Sequence, residues 1–383
     1  MGSKGCNNRM SEYIVLVSKE HYNPLGIVRT LGEAGIAPIV VCVKGDLKFV
    51  GQSKYVKQKF YVDSPEQGLD LVVSKFAKKG EKSFILTGDD VTVNLLDKNY
   101  DRLKPHFYFY NAGKQGRISK FMDKDVLFEI AAKHGLNIAK TWKVRVGEIP
   151  ADIEYPIMTK AINSSGIEWK DIVFICHNDE ELKTAYSKMK SEYILLQRYI
   201  DKVNEVSFDG FSADHGKDLI ILTEVYQEYC IPDKYSPYWD VRNNTSLDIT
   251  EKIRKIIAEI GLEGIFEFEF MIDKEGKFWF LEINFRNTAL GYATTTAGMP
   301  QAVLWCKAME TGHVDHSCYR KIEPGHKAMA ECFDFDVRVR GGVISIWEWL
   351  KQYRATQCKL YKGHDDIFPF IKFLWFKYTK MRR

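Results

Sequence analysis

A chain of 383 residues with 45% apolar and 28% charged residues is long enough for two or three subdomains with buried cores. A formal charge of +4, with no long run of Lys or Arg, excludes the pattern of a dedicated polyanion binder, so no nucleic-acid partner is expected. Eight scattered cysteines without a C-x-x-C pair read as reduced, mostly buried thiols, and no stretch reaches the roughly 18 apolar residues of a membrane span.

The polar start lacks the apolar core of a signal peptide, which makes a cytoplasmic enzyme the expectation. "MGSKGC" nearly matches an N-myristoylation start, but Cys6 stands where Ser or Thr is wanted, so residues 1–11 read as a flexible tail. "EYIVLVS" followed by "PLGIVRTLGEAGIAPIVVCV" then gives strand, helix, Gly-marked turn and strand, the beginning of a parallel layer. "KSFILTGDD", "VTVNLLDKNYDRLK" and "HFYFYN" continue it, so residues 12–117 are expected to form one open α/β domain. Ligands of such sheets bind past the strand C-termini, which puts Thr87, Gly88, Asp89 and Asp90 near a crevice; alternatively Asp89 and Asp90 only cap the next helix.

From about Ile118 the pattern becomes α+β. An amphipathic helix in "DKDVLFEIAAKHGLNIAKTWKV" precedes the short strand "YPIMTKA" and the polar loop "INSSGIEWKD". Strand "IVFIC", helix "NDEELKTAYSKMK" and strands "YILLQRYI" and "EVSFDGFSA" follow, and "DITEKIRKIIAEIGL" is a further helix.

That helix leads into "IFEFEFMIDKEGKFWFLEINFR", two alternating strands around a turn with Asp and Gly. Period-two alternation puts Glu267 and Glu269 on one face of the first strand, and Glu282 and Asn284 on one face of the second. Paired in register, they form an oxygen cluster walled by aromatics. Such a cluster is costly to bury unless a hard cation such as Mg²⁺ joins it. The plainer alternative is an edge hairpin with one solvated face, although Lys is missing from the middle of both acidic faces.

"EFMIDKEGKFWFLEINFRN" resembles the metal-binding hairpin of the ATP-grasp superfamily, in which an acidic residue precedes "LE-x-N-x-R" by about a dozen positions. The resemblance extends over about residues 12–312 and implies an ATP-grasp architecture: the N-terminal α/β domain, an ATP-grasp domain over 118–312 with a lid at about 140–200, and a metal-binding sheet. By the same resemblance Glu269, Glu282 and Asn284 are the Mg²⁺ ligands, with Glu267 in reserve for the first. Arg286 matches the arginine that contacts phosphate or substrate carboxylate, and is the candidate catalytic residue. Lys124 and Lys160 match nucleotide-binding lysines, and Gln197 the residue facing the adenine amino group. Tyr199 and Ile200 would offer backbone groups to adenine, and Glu205 would bond the ribose hydroxyls. Ser164 and Ser165 stand in a flap with one glycine, Gly166, where the family is Gly-rich. Alanine follows Lys160 and phenylalanine precedes Arg286 where the family has proline. Lys234 and Arg242 are further phosphate candidates, or solvated loop charges.

The resemblance implies ATP and Mg²⁺ as cofactors, with Mn²⁺ able to substitute. It also implies transfer of the γ-phosphoryl group to a substrate carboxylate, then attack by an amine, with an amino acid as the expected substrate. A small-molecule kinase and a nucleotide-binding, membrane-associated module are the alternatives on this fold, and a homodimer stays open. Residues 313–383 stand outside the shared motifs. "ISIWEWLKQYRAT" and "DDIFPFIKFLWFKYTKMRR" are aromatic and basic, which suits either a subdomain packed on the core, covering Trp347, Trp349 and Phe368, or a peripheral contact at the inner membrane face. "HVDHSC" carries three metal-type side chains, His313, His316 and Cys318, without a fourth nearby.

Overall fold

Three sheets organise the protein in a computed structural model that describes residues 11–45, 47–160, 173–231 and 236–379. Strands β1 (Tyr13–Val17), β2 (Ile39–Val43), β3 (Gln58–Val62), β4 (Ser83–Leu86) and β5 (Phe107–Tyr108) form the first, in the order β3-β2-β1-β4-β5. Every pairing in it is parallel. The runs YIVLV and IVVCV are apolar throughout because both faces are covered. Val15, Val17 and Val40 face Leu25 and Val28 of the helix Tyr22–Glu33, whereas Ile14, Leu16 and Val41 face Leu69 and Val72 of the helix Pro65–Phe76. This is the open α/β layer expected for the N-terminal part.

Strands β6 (Thr141–Arg145), β7 (Ile157–Lys160), β8 (Ile175–Cys176) and β9 (Tyr193–Arg198) make a small antiparallel sheet in the order β6-β9-β7-β8. With the helix Asp179–Tyr186 it closes over its own core of Val144, Ile157, Leu182, Ile194 and Leu196. The third sheet contains β10 (Lys202–Ala213), β11 (Asp218–Gln227), β12 (Tyr238–Arg242), β13 (Ile265–Asp273), β14 (Phe278–Asn284), β15 (Lys327–Met329) and β16 (Cys358–Lys359). Its order is β14-β13-β10-β11-β12-β15-β16. Among the described residues no helix is long and apolar enough to cross a membrane.

The last two strands change the reading of the C-terminal segment, which is part of the central sheet and not an appendage. Its cover is uneven. Trp349 is buried and donates from Nε1 to Asp334 at 2.7 Å, whereas Trp347 and Phe368, both expected to need cover, are 77% and 64% exposed. The segment also fastens the N-terminal domain. Arg29, fully buried in the helix Tyr22–Glu33, donates to Asp366 Oδ2 at 3.1 Å and to the carbonyls of Leu360, Tyr361 and Asp366. At Gly363 a Cβ would lie 2.7 Å from the Arg29 guanidinium carbon, so the close approach requires glycine there.

Removing one partner of a buried ion pair strands the other charge. Asp366→Ala is therefore expected to lower unfolding stability by about 3–5 kcal/mol, read by chemical denaturation. The exposed pair Lys44–Asp63 provides the contrast, and Asp63→Ala there is expected to cost under about 1 kcal/mol.

Candidate active site

The β13–β14 hairpin pairs in the register anticipated from its alternation. Glu269 lies opposite Glu282, and Glu267 opposite Asn284. Its turn is held by Asp273, whose Oδ1 accepts from the N–H groups of Glu275 and Lys277, and Gly276 takes a φ of 77° there. On the other side β10 sets Ser207 opposite Glu269 and Asp209 opposite Glu267. Directly opposed residues share a face, so three strands deliver Asp209, Glu267, Glu269 and Glu282 to one surface.

Nearly all of this surface is out of water. Asn284 Nδ2 donates to Glu267 Oε2 and to Glu269 Oε1, both at 2.8 Å, and its Oδ1 accepts from Arg286 at 2.8 Å. Thr288 Oγ1 donates towards Glu267 at 3.1 Å and lies 3.3 Å from Asp209 Oδ1. Asp209 Oδ2 has no hydrogen-bond partner. Burial pushes the Asp209 carboxyl up to about 8, and burial with mutual repulsion raises Glu267 and Glu269 as well. Buried hard oxygens with an orphaned lone-pair site fit a divalent cation such as Mg²⁺. Glu269 and Glu282 would supply carboxylate oxygens. Asn284, expected as a third ligand, presents its nitrogen to the carboxylates, so it would have to flip its amide to join them. Among the described residues no three His, Cys, Asp or Glu side chains are gathered at metal-ligating spacing.

Arg286 is anchored by a residue of the N-terminal domain. Its Nε and Nη2 donate to the two oxygens of Asp90 at 2.7 and 3.0 Å. The two readings of Asp89 and Asp90 thus divide. Asp89 caps the helix Asp90–Lys98, accepting from Thr92 N at 2.8 Å, and Asp90 reaches the site. Hairpin and N-terminal loops together line a cleft of ≈ 440 Å³ that includes His21, Tyr22, Glu205, Trp239, Arg286 and Phe333. Burial holds His21 down at about 4, so its imidazole is neutral near pH 7.

The other expected residues sort as follows. Lys160 ends β7, where its Nζ donates to Gln197 Oε1 at 2.6 Å; burial and the nearby Lys124 charge pull it down to about 8, while Glu282 acts in the opposite sense. Lys124 and Glu282 are therefore both within electrostatic reach of Lys160. Lys124 heads the helix Lys124–Lys133 and is exposed. Gln197 does not stand free to meet adenine: its oxygen holds Lys160 and its nitrogen donates to Thr141 at 2.9 Å. Tyr199 N–H is spent on the Pro156 carbonyl, and Ile200 is buried beside Ala139 and Trp279. Glu205 is held by Lys202 and by Gln227. Arg242 is paired with Asp240 and lies over the Tyr226 ring at 4.6 Å. Ser164, Ser165 and Lys234 lie outside the described residues. His316 bonds Asp218 at 2.9 Å and His313 faces the Thr311 carbonyl, so the "HVDHSC" side chains have other partners.

Asp209, Asp90 as an anchor and His21 complete the site without having been singled out for these roles. For Asp209 a signal existed: Glu205, Ser207 and Asp209 alternate in "EVSFDGF" as the hairpin acids do.

Residues 123–307 match the family model described as "Carbamoyl-phosphate synthase L chain, ATP binding domain". That stretch contains both lysines and the whole acidic hairpin. The chain carries an ATP-grasp domain. Its fold is similar to that of the L-amino acid ligase from Bacillus licheniformis, with a TM-score of 0.61 and 15% identity over 83% of this chain and 78% of that one. It is also similar to the biotin carboxylase domain of 2-oxoglutarate carboxylase from Hydrogenobacter thermophilus, solved with MgADP, ADP and bicarbonate, with a TM-score of 0.60 and 19% identity over 82% and 73%. The mitochondrial pyruvate carboxylase of Rattus norvegicus is 25% identical over 147 residues, which span 34% of this chain and 12% of that protein.

The raised carboxyl groups make a stability prediction. Their folded-state values lie above the unfolded carboxylate range, so the stabilisation from their protonated forms is full below about pH 4 and is lost as pH rises through about 8. The thermal midpoint of the ligand-free protein is expected to fall between about pH 5 and pH 8.5, and Asp209→Asn to flatten that slope, as measured by scanning calorimetry.

Proposed function

We propose that this chain is an ATP-dependent carboxylate–amine ligase acting on small molecules, with an amino acid as one substrate. The γ-phosphoryl group of ATP passes to a substrate carboxylate oxygen, giving an acyl phosphate and ADP. The amine nitrogen then forms a bond to the acyl carbon as the carbon–oxygen bond to phosphate breaks, and the amine loses a proton. The observation that carries this reading is the placing of Arg286, locked by Asp90, beside the Glu269–Glu282 pair, with Lys160 within electrostatic reach of Glu282. The likeness to an L-amino acid ligase supports the substrate class.

Each residue has a role that its surroundings permit. Lys160 and Lys124 carry positive charge to the nucleotide phosphates, and Gln197 fixes the Lys160 ammonium. Glu269 and Glu282 would hold Mg²⁺, with Mn²⁺ as a substitute and Asn284 as a third ligand if its amide were flipped; the ion would supply neutralisation of phosphate charge during phosphoryl transfer. Arg286 presents a fixed fork to the substrate carboxylate and to the oxyanion that follows. Neutral His21 accepts from Asn23 N–H through Nδ1, which leaves Nε2 as a donor, so it orients substrate without adding charge. The adenine contact falls to the β9–β10 connection around Tyr199 and Ile200, with Glu205 at the ribose. No protein nucleophile is required.

A panel of amino acids, singly and in pairs, with ATP and Mg²⁺ tests the reading through coupled ADP and phosphate release. ADP and phosphate should appear only when an acid and an amine are both present, and should vanish in Glu282→Ala. ADP with a stable phosphorylated product and no free phosphate would make the protein a kinase. Arg286→Lys loses the fork and is expected to lower kcat by about 10²–10³. Lys160 must be charged to meet phosphate, so kcat/KM for ATP should fall as pH rises through about 8, and Lys160→Arg should shift that limb to higher pH.

A further inference from the structure

The C-terminal helix Phe368–Thr379 has two faces of unlike character. Its inner face is engaged: Phe373 is 5% exposed and stacks on Tyr361 at 4.1 Å, and Lys377 donates to the Cys332 carbonyl and to Asp336. The outer face is aromatic and wet. Phe368, Ile371, Trp375 and Tyr378 are 64%, 53%, 53% and 44% exposed, and their spacing of three, four and three places them in one stripe. Lys372 Nζ lies over the Trp375 ring at 4.7 Å, and the Arg340 guanidinium lies 5.9 Å from the Tyr378 ring. Across a small cavity, the helix Ile346–Ala355 exposes Trp347 in line with Lys351 and Arg354, with Glu348 the nearest acid.

The charge beside the stripe is mainly positive, with Asp336, which pairs with Lys377 and Arg340, as the acid beneath it. From Ile367 to Arg383 the sequence holds Lys372, Lys377, Lys380, Arg382 and Arg383 and no acidic residue. Of the two acids just before it, Asp366 is buried against Arg29, and Asp365, half exposed, is paired with Lys54 and Tyr55. A second copy of this chain would set two positive stripes against each other. An anionic surface complements them, and Trp and Tyr beside Lys and Arg are the residues that settle at a bilayer interface.

We propose that the outer face of the helix Phe368–Thr379 docks the protein on an anionic lipid surface. Insertion is shallow, with Phe368, Ile371 and Trp375 among the acyl-chain ends and Lys372 at the phosphates. The docked helix stands next to the cleft, because Phe333, which lines it, packs between Phe373 and Tyr22 with ring centroids 6.5 Å from each. Docking does not depend on which reaction the cleft performs.

Flotation of the full chain with two kinds of vesicle tests this, one of phosphatidylcholine alone and one of phosphatidylcholine with phosphatidylglycerol. The full chain should float with the second only, less so as salt rises, and Trp fluorescence should shift to the blue. The double variant Ile371→Ser/Trp375→Ser should float about tenfold less while keeping its thermal midpoint, because both positions are solvent-exposed. Three results would overturn the proposal: no flotation with either vesicle, equal flotation of wild type and variant, or a dimer in light scattering that the same two substitutions dissolve.

Discussion

Asn284 stands between Glu267 and Glu269 with one amide nitrogen 2.8 Å from each, and much of the molecule is arranged to make that possible. Two buried carboxylates on neighbouring positions of one strand repel each other and resist desolvation. The amide bridges them from the partner strand, and Arg286 holds the other end of the same amide. Arg286 is in turn fixed by Asp90 from the N-terminal domain. A chain of polar contacts therefore runs from the acidic surface through the hairpin into a separate sheet, and each link fixes the next. Asp209 Oδ2, without a hydrogen-bond partner, and the raised carboxyl groups mark where the cluster would gain most from a cation.

Architecture follows from the same need. The acidic face requires three strands in fixed register, which the central sheet supplies. Lys160 is brought within electrostatic reach of Glu282 on that face from a sheet with its own core, joined through the connection between β9 and β10. The substrate side requires walls, and these come from the His21–Tyr22 loop and from Phe333 of the C-terminal segment. The buried Arg29–Asp366 pair ties those last two contributors together, so the far end of the chain helps to shape the cleft.

The hairpin was legible because its information is local. Period-two alternation, an Asp and Gly turn and the phrase LEINFR fix strand, face and register within about twenty residues. The parallel N-terminal layer was legible for the same reason, through apolar runs and Gly-marked turns. Asp209 was not singled out, because its meaning depends on β10 lying beside β13, a pairing remote in sequence. Strands β15 and β16 have three and two residues, too few for any period to show, so their place in the central sheet was invisible. The orientation of Asn284 and the use of Gln197 to hold Lys160 are decided by competing hydrogen bonds, which residue type alone does not rank.

A cation-dependent nucleotide platform on the acidic face requires nucleotide affinity to depend on Mg²⁺ and on its carboxylates. Calorimetric titration of a non-hydrolysable ATP analogue, with and without Mg²⁺, into the wild type and the Glu269→Gln/Glu282→Gln variant tests it most directly. Tight binding that requires Mg²⁺ in the wild type, and weak binding indifferent to Mg²⁺ in the variant, is the predicted result. Equal Mg²⁺-dependent binding by both proteins would contradict the account.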